Sequence, residues 1–226
     1  IDISQHNPAT AYVVIMRYKS MDLNSHIFKT NDYGQTWTRI VNGLNDPNGF
    51  ARVVRADKKQ QGLLYAGTET GLYVSNDDGA YWQRLKLNLP VVAINDLMIQ
   101  DNDLVAATSG RGFWILDDLG ALQNKRSYSK AIEIVPPKDT YRIFGGNSKA
   151  VGQGQNPRSG VTFDYYLNNN IDSLTLTLDV LENDKVIRTY TNKKDPNFKS
   201  WPGGPSKPQV LGSKKGVNRF TWDFRR

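Results

Sequence analysis

A short acidic motif occurs twice in this chain, and its repetition constrains the fold more than any other feature. The first copy is TNDYGQTW at residues 30–37, and the second is SNDDGAYW at residues 75–82, 45 residues later. Both copies follow the pattern S/T-x-D-x-G-x-x-W, so four positions match in matched surroundings. Such a repeat predicts that the chain builds the same small structure twice.

The sequence around the motif predicts β-strands with almost no helix. Short stretches of alternating, β-branched or aromatic residues are separated by Gly, Asn, Asp and Pro. Residues 50–85 divide into four such strands, FARVVRAD, LLYAGT, LYVS and YWQRL, and residues 1–40 divide in the same way. A third unit contains INDLMIQ, LVAAT and FWILDD. Four-stranded antiparallel units that recur about every 40 to 50 residues are typical of β-propeller blades.

Each residue type of the motif has a structural role at the hairpin between the third and fourth strands. The Asp side chain is expected to accept backbone N–H bonds in the turn. The Gly supplies a positive φ, and the Trp packs across the hairpin or between blades. We therefore interpret the motif positions as structural and not catalytic. They are Thr30, Asp32, Gly34, Trp37, Ser75, Asp77, Gly79 and Trp82.

The two motifs resemble the Asp-box, or BNR repeat, of sialidases, xyloglucan-cleaving propellers and sortilin-type receptor propellers. The run LLYAGTETGLYVSNDDGAYWQRLKLNLP, followed by DLVAATSGRGFWILDDL, is similar to the last blades of bacterial proteins named sortilin-like or BNR-repeat glycosyl hydrolases. The resemblance extends over residues 1–145. The third unit, FWILDDLGAL, keeps the acidic pair, and we expect it to lack the Gly and Trp of a full motif. The resemblance implies export to the periplasm, the cell surface or the extracellular space.

The pattern changes towards the C-terminus, which predicts a second module. We expect about three propeller blades in residues 1–122, a closing strand and linker in residues 123–159, and an Ig-like or fibronectin-like β-sandwich in residues 160–226. About four strands are visible in the last segment, whereas such a sandwich has about seven, so we expect this module to be incomplete. Propellers close with about four to eight blades. The chain is therefore expected to be an excerpt that packs against remaining blades of its parent chain or of another chain.

Composition excludes several classes of function. The 226 residues include no Cys, which rules out disulfides and thiolate metal sites. The longest apolar runs are too short to span a bilayer. The formal charge of +7 arises partly from scattered Lys doublets near turns, a pattern more typical of solvated loops than of a nucleic-acid surface. We predict no nucleic-acid partner and no membrane span.

The loops at the propeller end opposite the acidic hairpins hold the polar groups that could do chemistry. These candidates are Asp22, His26, Asp46, Glu69 and Arg111. Glu69 is a weak candidate for a general acid, because burial in a channel would raise its pKa. Arg111 is a weak candidate for binding a carboxylate or a sugar hydroxyl. The alternatives are an exposed turn carboxylate for Glu69 and an ion pair with Asp117 or another blade for Arg111.

No complete catalytic or metal-binding set is visible in the sequence. Glycosidases need two facing carboxylates about 5 to 10 Å apart, and nothing in the sequence fixes such a pair. His6 and His26 are expected on opposite faces, which argues against a His-based triad or a zinc site. We predict no cofactor, with calcium at the Asp-rich turns DPNG and SNDDG as the one alternative.

Two functions fit these observations. In the first, the chain is a binding or structural part of a larger propeller that takes a glycan or peptide ligand. In the second, it is part of a carbohydrate-active glycoside hydrolase whose active site lies in the propeller channel. We favour the first, because this chain contains no self-sufficient catalytic set.

Overall fold

The computed structural model describes residues 1–124, 130–141, 159–204 and 207–225, and nearly all regular structure in these residues is β-strand. The chain divides into two compact units, Ile1–Lys125 and Arg126–Arg226. In the described residues, helix is limited to a 3-10 turn at Tyr18–Ser20 and one α-helical turn, α1, at Gly120–Gln123. The prediction of an all-β chain is confirmed.

The first unit begins with two antiparallel sheets of four strands each. Blade 1 consists of β1 (Asp2–Ile3), β2 (Ala11–Val14), β3 (Ile27–Thr30) and β4 (Thr38–Arg39). Blade 2 consists of β5 (Ala51–Ala56), β6 (Leu64–Thr68), β7 (Leu72–Ser75) and β8 (Gln83–Arg84). In both sheets every strand pairs with its neighbour in the sequence. This up-and-down order is that of a propeller blade, as predicted.

The third sheet, blade 3, has three strands in the described residues. They are β9 (Ile94–Gln100), β10 (Asp103–Thr108) and β11 (Phe113–Leu116), in the order β11-β10-β9. The expectation that this unit lacks the motif Gly is wrong, because Gly120 follows Asp118 by two residues as Gly79 follows Asp77. Asp118 Oδ1 accepts the N–H of Gly120 at 3.0 Å, and the chain then enters α1. Gln123 takes the place of the motif Trp.

Two apolar clusters hold the three blades together. Strand β5 contributes to both, since its successive side chains point to opposite faces of the sheet. Val54 belongs to the cluster between blades 1 and 2, together with Tyr12, Ile27 and Trp82. Val53 belongs to the cluster between blades 2 and 3. Blade 2 is thus packed on both of its faces, which explains why every residue of its two central strands, β6 and β7, is buried.

The described residues of the second unit contain five strands. They are β12 (Ile132–Val135), β13 (Val161–Leu167), β14 (Thr177–Glu182), β15 (Lys185–Thr191) and β16 (Gly216–Trp222). Strands β12, β13 and β16 form one antiparallel sheet, and β14 and β15 form a hairpin. Asn183 and Asp184 both have positive φ, at 49° and 61°, as a two-residue hairpin turn of the I′ type requires.

The strands of the C-terminal module lie largely where the sequence indicates strands. The four strands that the sequence indicates there correspond to β13, β14, β15 and β16. Strand β12 lies in the segment predicted as closing strand and linker, and it pairs with β13. Residues 142–158, which make up much of the predicted linker, lie outside the described residues. The division at residues 122 and 159 and the Ig-like assignment stay predictions.

Candidate functional site

The two acidic hairpins, residues 30–37 and 75–82, share two hydrogen bonds to their Asp residues. Asp32 Oδ1 accepts the N–H of Thr36 at 2.9 Å and the hydroxyl of Thr30 at 2.7 Å. Asp77 Oδ1 accepts the N–H of Tyr81 at 2.9 Å and the hydroxyl of Ser75 at 2.7 Å. Both carboxylates are thus used within their own turn.

The motif glycines adopt a conformation that other residues avoid. Gly34 and Gly79 both have φ of +88°, in the region that glycine adopts without steric strain. The N–H of each glycine donates to the motif hydroxyl, Thr30 Oγ1 or Ser75 Oγ, at 2.9 Å. The hydroxyl residue therefore both donates to the Asp and accepts from the Gly, which accounts for the S/T position of the motif.

Hydrogen bonding makes the Asp32 carboxyl strongly acidic. The hydroxyl and the N–H of Thr36, with the hydroxyl of Thr30, lower the pKa of Asp32 from 3.8 to about 2. The side chain and N–H of Asn24, followed by His26, lower the pKa of Asp22 to about 2 in the same way. Since both pKa values are lower in the folded chain than in the unfolded chain, these groups stabilise the fold above pH 3.8.

We expect the free energy of unfolding to fall as the pH is lowered from 3.8 towards 2, the interval between the unfolded and folded pKa values of Asp32 and Asp22. Urea unfolding at a series of pH values measures this slope. The variant Asp32→Asn, which cannot titrate, should show a shallower slope than the wild type. Identical slopes for the two proteins would show that the hairpin carboxylate is not tied to folding.

The second acidic hairpin binds the neighbouring sheet through its Trp. Trp82 is 1% exposed, and its Nε1–H donates to the carbonyl oxygen of Ile40 in blade 1 at 2.8 Å. Its main-chain N–H donates to Asn42 O, also at 2.8 Å. Trp37 occupies the same motif position but is 43% exposed, and its Nε1–H donates to Gly34 O of its own hairpin at 3.1 Å. The motif Trp thus packs against a neighbouring blade in the second copy and is partly exposed to solvent in the first.

Asp78 adds a polar contact between the same two sheets. Its carboxylate accepts the hydroxyl of Tyr12 at 2.6 Å and the ammonium of Lys29 at 2.5 Å. Burial, and then the hydrogen bond to Asp78, raise the pKa of Tyr12, so this hydroxyl remains a donor. Sequence reasoning missed the contact, because this position is not part of the motif and is Tyr33 in the first copy.

The hairpins lie at the same end of each sheet as the turns between the first and second strands. The N–H of Tyr33 donates to Ala9 O at 3.1 Å in blade 1, and the N–H of Asp78 donates to Gly62 O at 2.8 Å in blade 2. In blade 3 the N–H of Leu119 donates to Asn102 O at 2.7 Å. This end is the one assigned to the acidic hairpins from the sequence, and the polar candidates lie in loops at the other end.

Glu69, the candidate general acid, is held by an ion pair. Arg52 Nε donates to Glu69 Oε2 at 2.5 Å, and the Arg52 guanidinium lies over the ring of Phe50 at 5.2 Å. Arg52 reaches Glu69 because β5 pairs with β6, which places Ala51 beside Thr68. The Glu69 carboxylate thus has an ion-pair partner within its own blade.

The other acidic candidates also have local partners. Asp46 accepts the hydroxyl of Thr70 at 2.6 Å, and this bond is the first cause of a lowered pKa for Asp46. Asp22 accepts from His26 Nε2 at 2.9 Å and lies 3.3 Å from Arg17. A lowered pKa suits a permanent anion and not a general acid at neutral pH.

Arg111 lies exposed in the loop between β10 and β11. Its carbonyl oxygen accepts the Nε1–H of Trp114 at 3.1 Å. Glu69 and Arg111 belong to loops of different blades. The assignment of either as catalytic stays a prediction.

Sequence reasoning also missed a repeated arginine contact near these loops. Arg39 Nη2 donates to Ser25 O, and Arg84 Nη2 donates to Thr70 O, both at 2.8 Å. The two donor arginines are 45 residues apart in the sequence, and so are the two acceptor residues. An arginine two residues after each motif Trp was the available signal. Each arginine fixes the loop between the second and third strands of its own blade.

A buried carboxylate at the hairpin end was missed as well. Asp57 is 1% exposed and accepts the N–H groups of Lys59 and Gln60, both at 2.8 Å. The hydroxyl of Tyr65 and the amide of Gln123 each donate to Asp57 Oδ2 at 3.0 Å. Gln123 therefore connects blade 3 to blade 2 from the position of the motif Trp. An Asp directly before the turn KKQQG was the only signal of this network.

Neither a metal cluster nor a membrane-spanning helix is present in the part of the chain that the structure describes. That part contains no group of three or more His, Cys, Asp or Glu residues arranged to hold a metal ion. No helix there is both long enough and apolar enough to cross a membrane. Calcium at the Asp-rich turns stays an untested alternative.

Comparisons with known proteins give fold-level likenesses only. No family model and no curated protein matches the sequence. The GH74 xyloglucanase from Xanthomonas campestris is 14% identical over 50% of this chain and 20% of its own, with a TM-score of 0.40. A GH74 enzyme from Niastella koreensis is 13% identical over 74% of this chain and 28% of its own, with a TM-score of 0.42.

A third solved structure, YCF48 bound to D1 peptide, is 26% identical over 41% of this chain and 31% of its own, with a TM-score of 0.32. The chain thus spans between 20% and 31% of the length of these three structures. TM-scores this low do not support the fold assignment, which rests on the strand order of the sheets themselves.

Proposed function

We propose that this chain is a binding or structural part of a larger Asp-box β-propeller protein, whose further blades pack on the outer faces of blades 1 and 3. The contrast between Trp82 and Trp37 carries the proposal. Trp82 lies buried against the preceding blade, whereas Trp37 is 43% exposed and donates to its own hairpin. A preceding blade would give Trp37 the environment that blade 1 gives Trp82.

The outer face of blade 1 is apolar beyond Trp37. Tyr12 and Ile27 pack towards blade 2, so alternation directs Val13 and Phe28, which pair across β2 and β3, to the opposite face. Ile3 pairs with Ala11 on that same face and is exposed. Contiguous apolar surface of this kind marks an interaction site.

The outer face of blade 3 has the same character. Val105 pairs with Met98 on β9 and with Ile115 on β11, so an apolar row crosses all three strands. Met98 and Ile115 are both more than half exposed. The remaining blades would come from the parent chain or from another chain, and the completed propeller would take a glycan or peptide ligand outside the cell.

Self-association of the isolated chain tests this proposal. We expect its sedimentation coefficient to rise with concentration, because the exposed faces bury apolar surface on contact. Trp37→Lys should weaken this association at little cost in stability. The matched control is Tyr81→Lys, since Tyr81 is a similarly exposed aromatic residue in the second hairpin, at 47%. A chain that stays monomeric throughout, or equal association by the two variants, would contradict the proposal.

The second candidate, a glycoside hydrolase with its active site in the propeller channel, has weaker support from this chain. It needs one protonated and one ionised carboxyl group facing each other. Glu69 is paired with Arg52, and the pKa values of Asp22 and Asp46 are lowered. Release of reducing sugar from polysaccharides by the isolated chain, lost in Glu69→Gln, would favour the hydrolase over the first proposal.

A further inference from the structure

Among the described strands, β11 differs from its counterparts in blades 1 and 2 by pairing on one edge only. Ile40 donates its N–H to Ile27 O, and Leu85 donates to Leu72 O, both at 2.9 Å, directly after the fourth strands that pair with the third strands of those blades. Phe113 is the counterpart of Ile27 and Leu72, because each follows the loop after the second strand. In the described residues β11 pairs with β10 alone.

The main-chain groups on the free edge of β11 can be identified from its register. Thr108 N–H donates to Gly112 O at 3.0 Å, and hydrogen-bonded pairs alternate along an antiparallel ladder. The N–H and C=O groups of Phe113 and Ile115 therefore point away from β10. Their side chains are 79% and 59% exposed. A strand edge with unpaired groups is a template for adding another strand.

An apolar slot lies beside this edge, between blades 2 and 3. Its lining includes Leu72, Leu85, Leu87, Leu104, Trp114 and Leu116. Leu85 and Leu87 are the counterparts, 45 residues later, of Ile40 and Asn42, whose carbonyl groups accept from Trp82. The slot therefore occupies the position that the Trp82 indole fills between blades 1 and 2.

No motif Trp enters this slot from blade 3. The residue at the motif position is Gln123, and its amide donates to the buried Asp57 carboxylate instead. Helix α1 follows β11 in the chain, where blades 1 and 2 have β4 and β8 after their acidic hairpins. Among the residues that the structure describes, blade 3 thus presents both an unpaired edge and an apolar slot at the place of a fourth strand.

We propose that the β11 edge and this slot together bind an extended peptide segment of a protein partner, running antiparallel to β11. The sequences of the two fourth strands define its chemistry. Trp37-Thr38-Arg39-Ile40 and Trp82-Gln83-Arg84-Leu85 share the pattern Trp-x-Arg-aliphatic. The indole of the partner enters the slot and donates to Leu85 O, and the N–H at its aliphatic position donates to Phe113 O. This inference rests on the proposed function, since it treats the chain as part of a larger assembly.

A labelled synthetic peptide with the sequence of residues 35–42, QTWTRIVN, is the probe. We expect saturable binding to the full chain by fluorescence anisotropy. The same peptide with Ala in place of Trp should bind at least about tenfold more weakly, because it leaves the slot unfilled. Absence of saturable binding, or equal binding of the two peptides, would overturn the inference.

Variants of the chain locate the peptide. Ile115→Pro removes an N–H from the free edge and leaves the pairing with β10 intact. Leu87→Asn removes apolar lining at a position with φ of 38°, which Asn tolerates. Each should weaken binding at least about tenfold, whereas Val91→Asn, a change at an exposed residue outside the slot, should leave it unaltered. If thermal melting shows that the Ile115→Pro variant is unfolded, binding to Leu87→Asn alone tests whether the peptide occupies this site.

The test separates this inference from the function it rests on. Association through Trp37 without peptide binding at β11 would overturn the inference alone. Peptide binding at β11, combined with self-association of the chain that is unchanged by Trp37→Lys, would overturn the proposed blade packing alone. Binding that persists in both Leu87→Asn and Ile115→Pro would place the peptide elsewhere and overturn the inference.

Discussion

Trp82→Ala should destabilise the chain by about 3 to 5 kcal/mol, the usual loss for a fully buried aromatic residue. Trp82 is 1% exposed, lies in the cluster between blades 1 and 2, and donates its indole N–H to Ile40 O. Its removal leaves both a cavity and an unpaired carbonyl group. Urea unfolding measured at low protein concentration gives the free energy directly.

The first copy of the motif supplies the matched control for this substitution. Trp37→Ala should cost about 1 kcal/mol or less, because an exposed side chain loses little burial. Trp82→Phe should fall between the two, since it keeps most of the packing and loses the hydrogen bond to Ile40. Equal losses for Trp37→Ala and Trp82→Ala would show that the second hairpin is not packed against blade 1.

Gly79→Val should be the second large effect, and Gly34→Val is its control. Both glycines have φ of +88°, and a valine held there costs about 1 to 3 kcal/mol in backbone strain. A Cβ on Gly79 would lie 2.5 Å from Ile40 Cδ1, whereas a Cβ on Gly34 would meet nothing nearer than 3.7 Å. Overpacking adds about 1 to 3 kcal/mol more at Gly79 alone.

Chemical unfolding of both glycine variants measures the two contributions separately. Gly34→Val reports the backbone strain of the turn, and the additional loss in Gly79→Val reports the contact with blade 1. Wild-type stability in Gly34→Val would contradict the conformational requirement of the motif. A loss of the same size in the two variants would contradict the close approach to Ile40.

The local chemistry of the motif could be predicted from the sequence because each residue acts within its own turn. The Asp accepts the N–H four residues on, and the Gly adopts positive φ, in both copies. The four-strand division of blades 1 and 2 was equally accessible, since it depends on alternation and on turn residues. The different exposures of Trp37 and Trp82 could not be predicted, because they depend on whether another blade covers each residue.

Contacts between distant segments were beyond sequence reasoning. The pairing of Arg52 with Glu69 depends on the register of β5 against β6. Asp78 meets Tyr12 only because blade 2 packs on blade 1. The bounds of strand β12 could not be predicted from the sequence, because IEIV is short and its partner strand β13 begins 26 residues after β12 ends. The candidate site was therefore predictable as a set of loops, and not as a set of ion pairs.

A double-mutant cycle between Tyr12→Phe and Asp78→Ala tests the central claim most directly, namely that the second acidic hairpin fastens blade 2 to blade 1. The two side chains lie 66 residues apart in the sequence and 2.6 Å apart in space. We expect their unfolding free energies to be coupled by about 1 to 2 kcal/mol, as for a hydrogen bond to a charged acceptor. Additive losses, with no coupling beyond about 0.5 kcal/mol, would contradict the account, because they would mean that the Asp78 carboxylate does not bind blade 1.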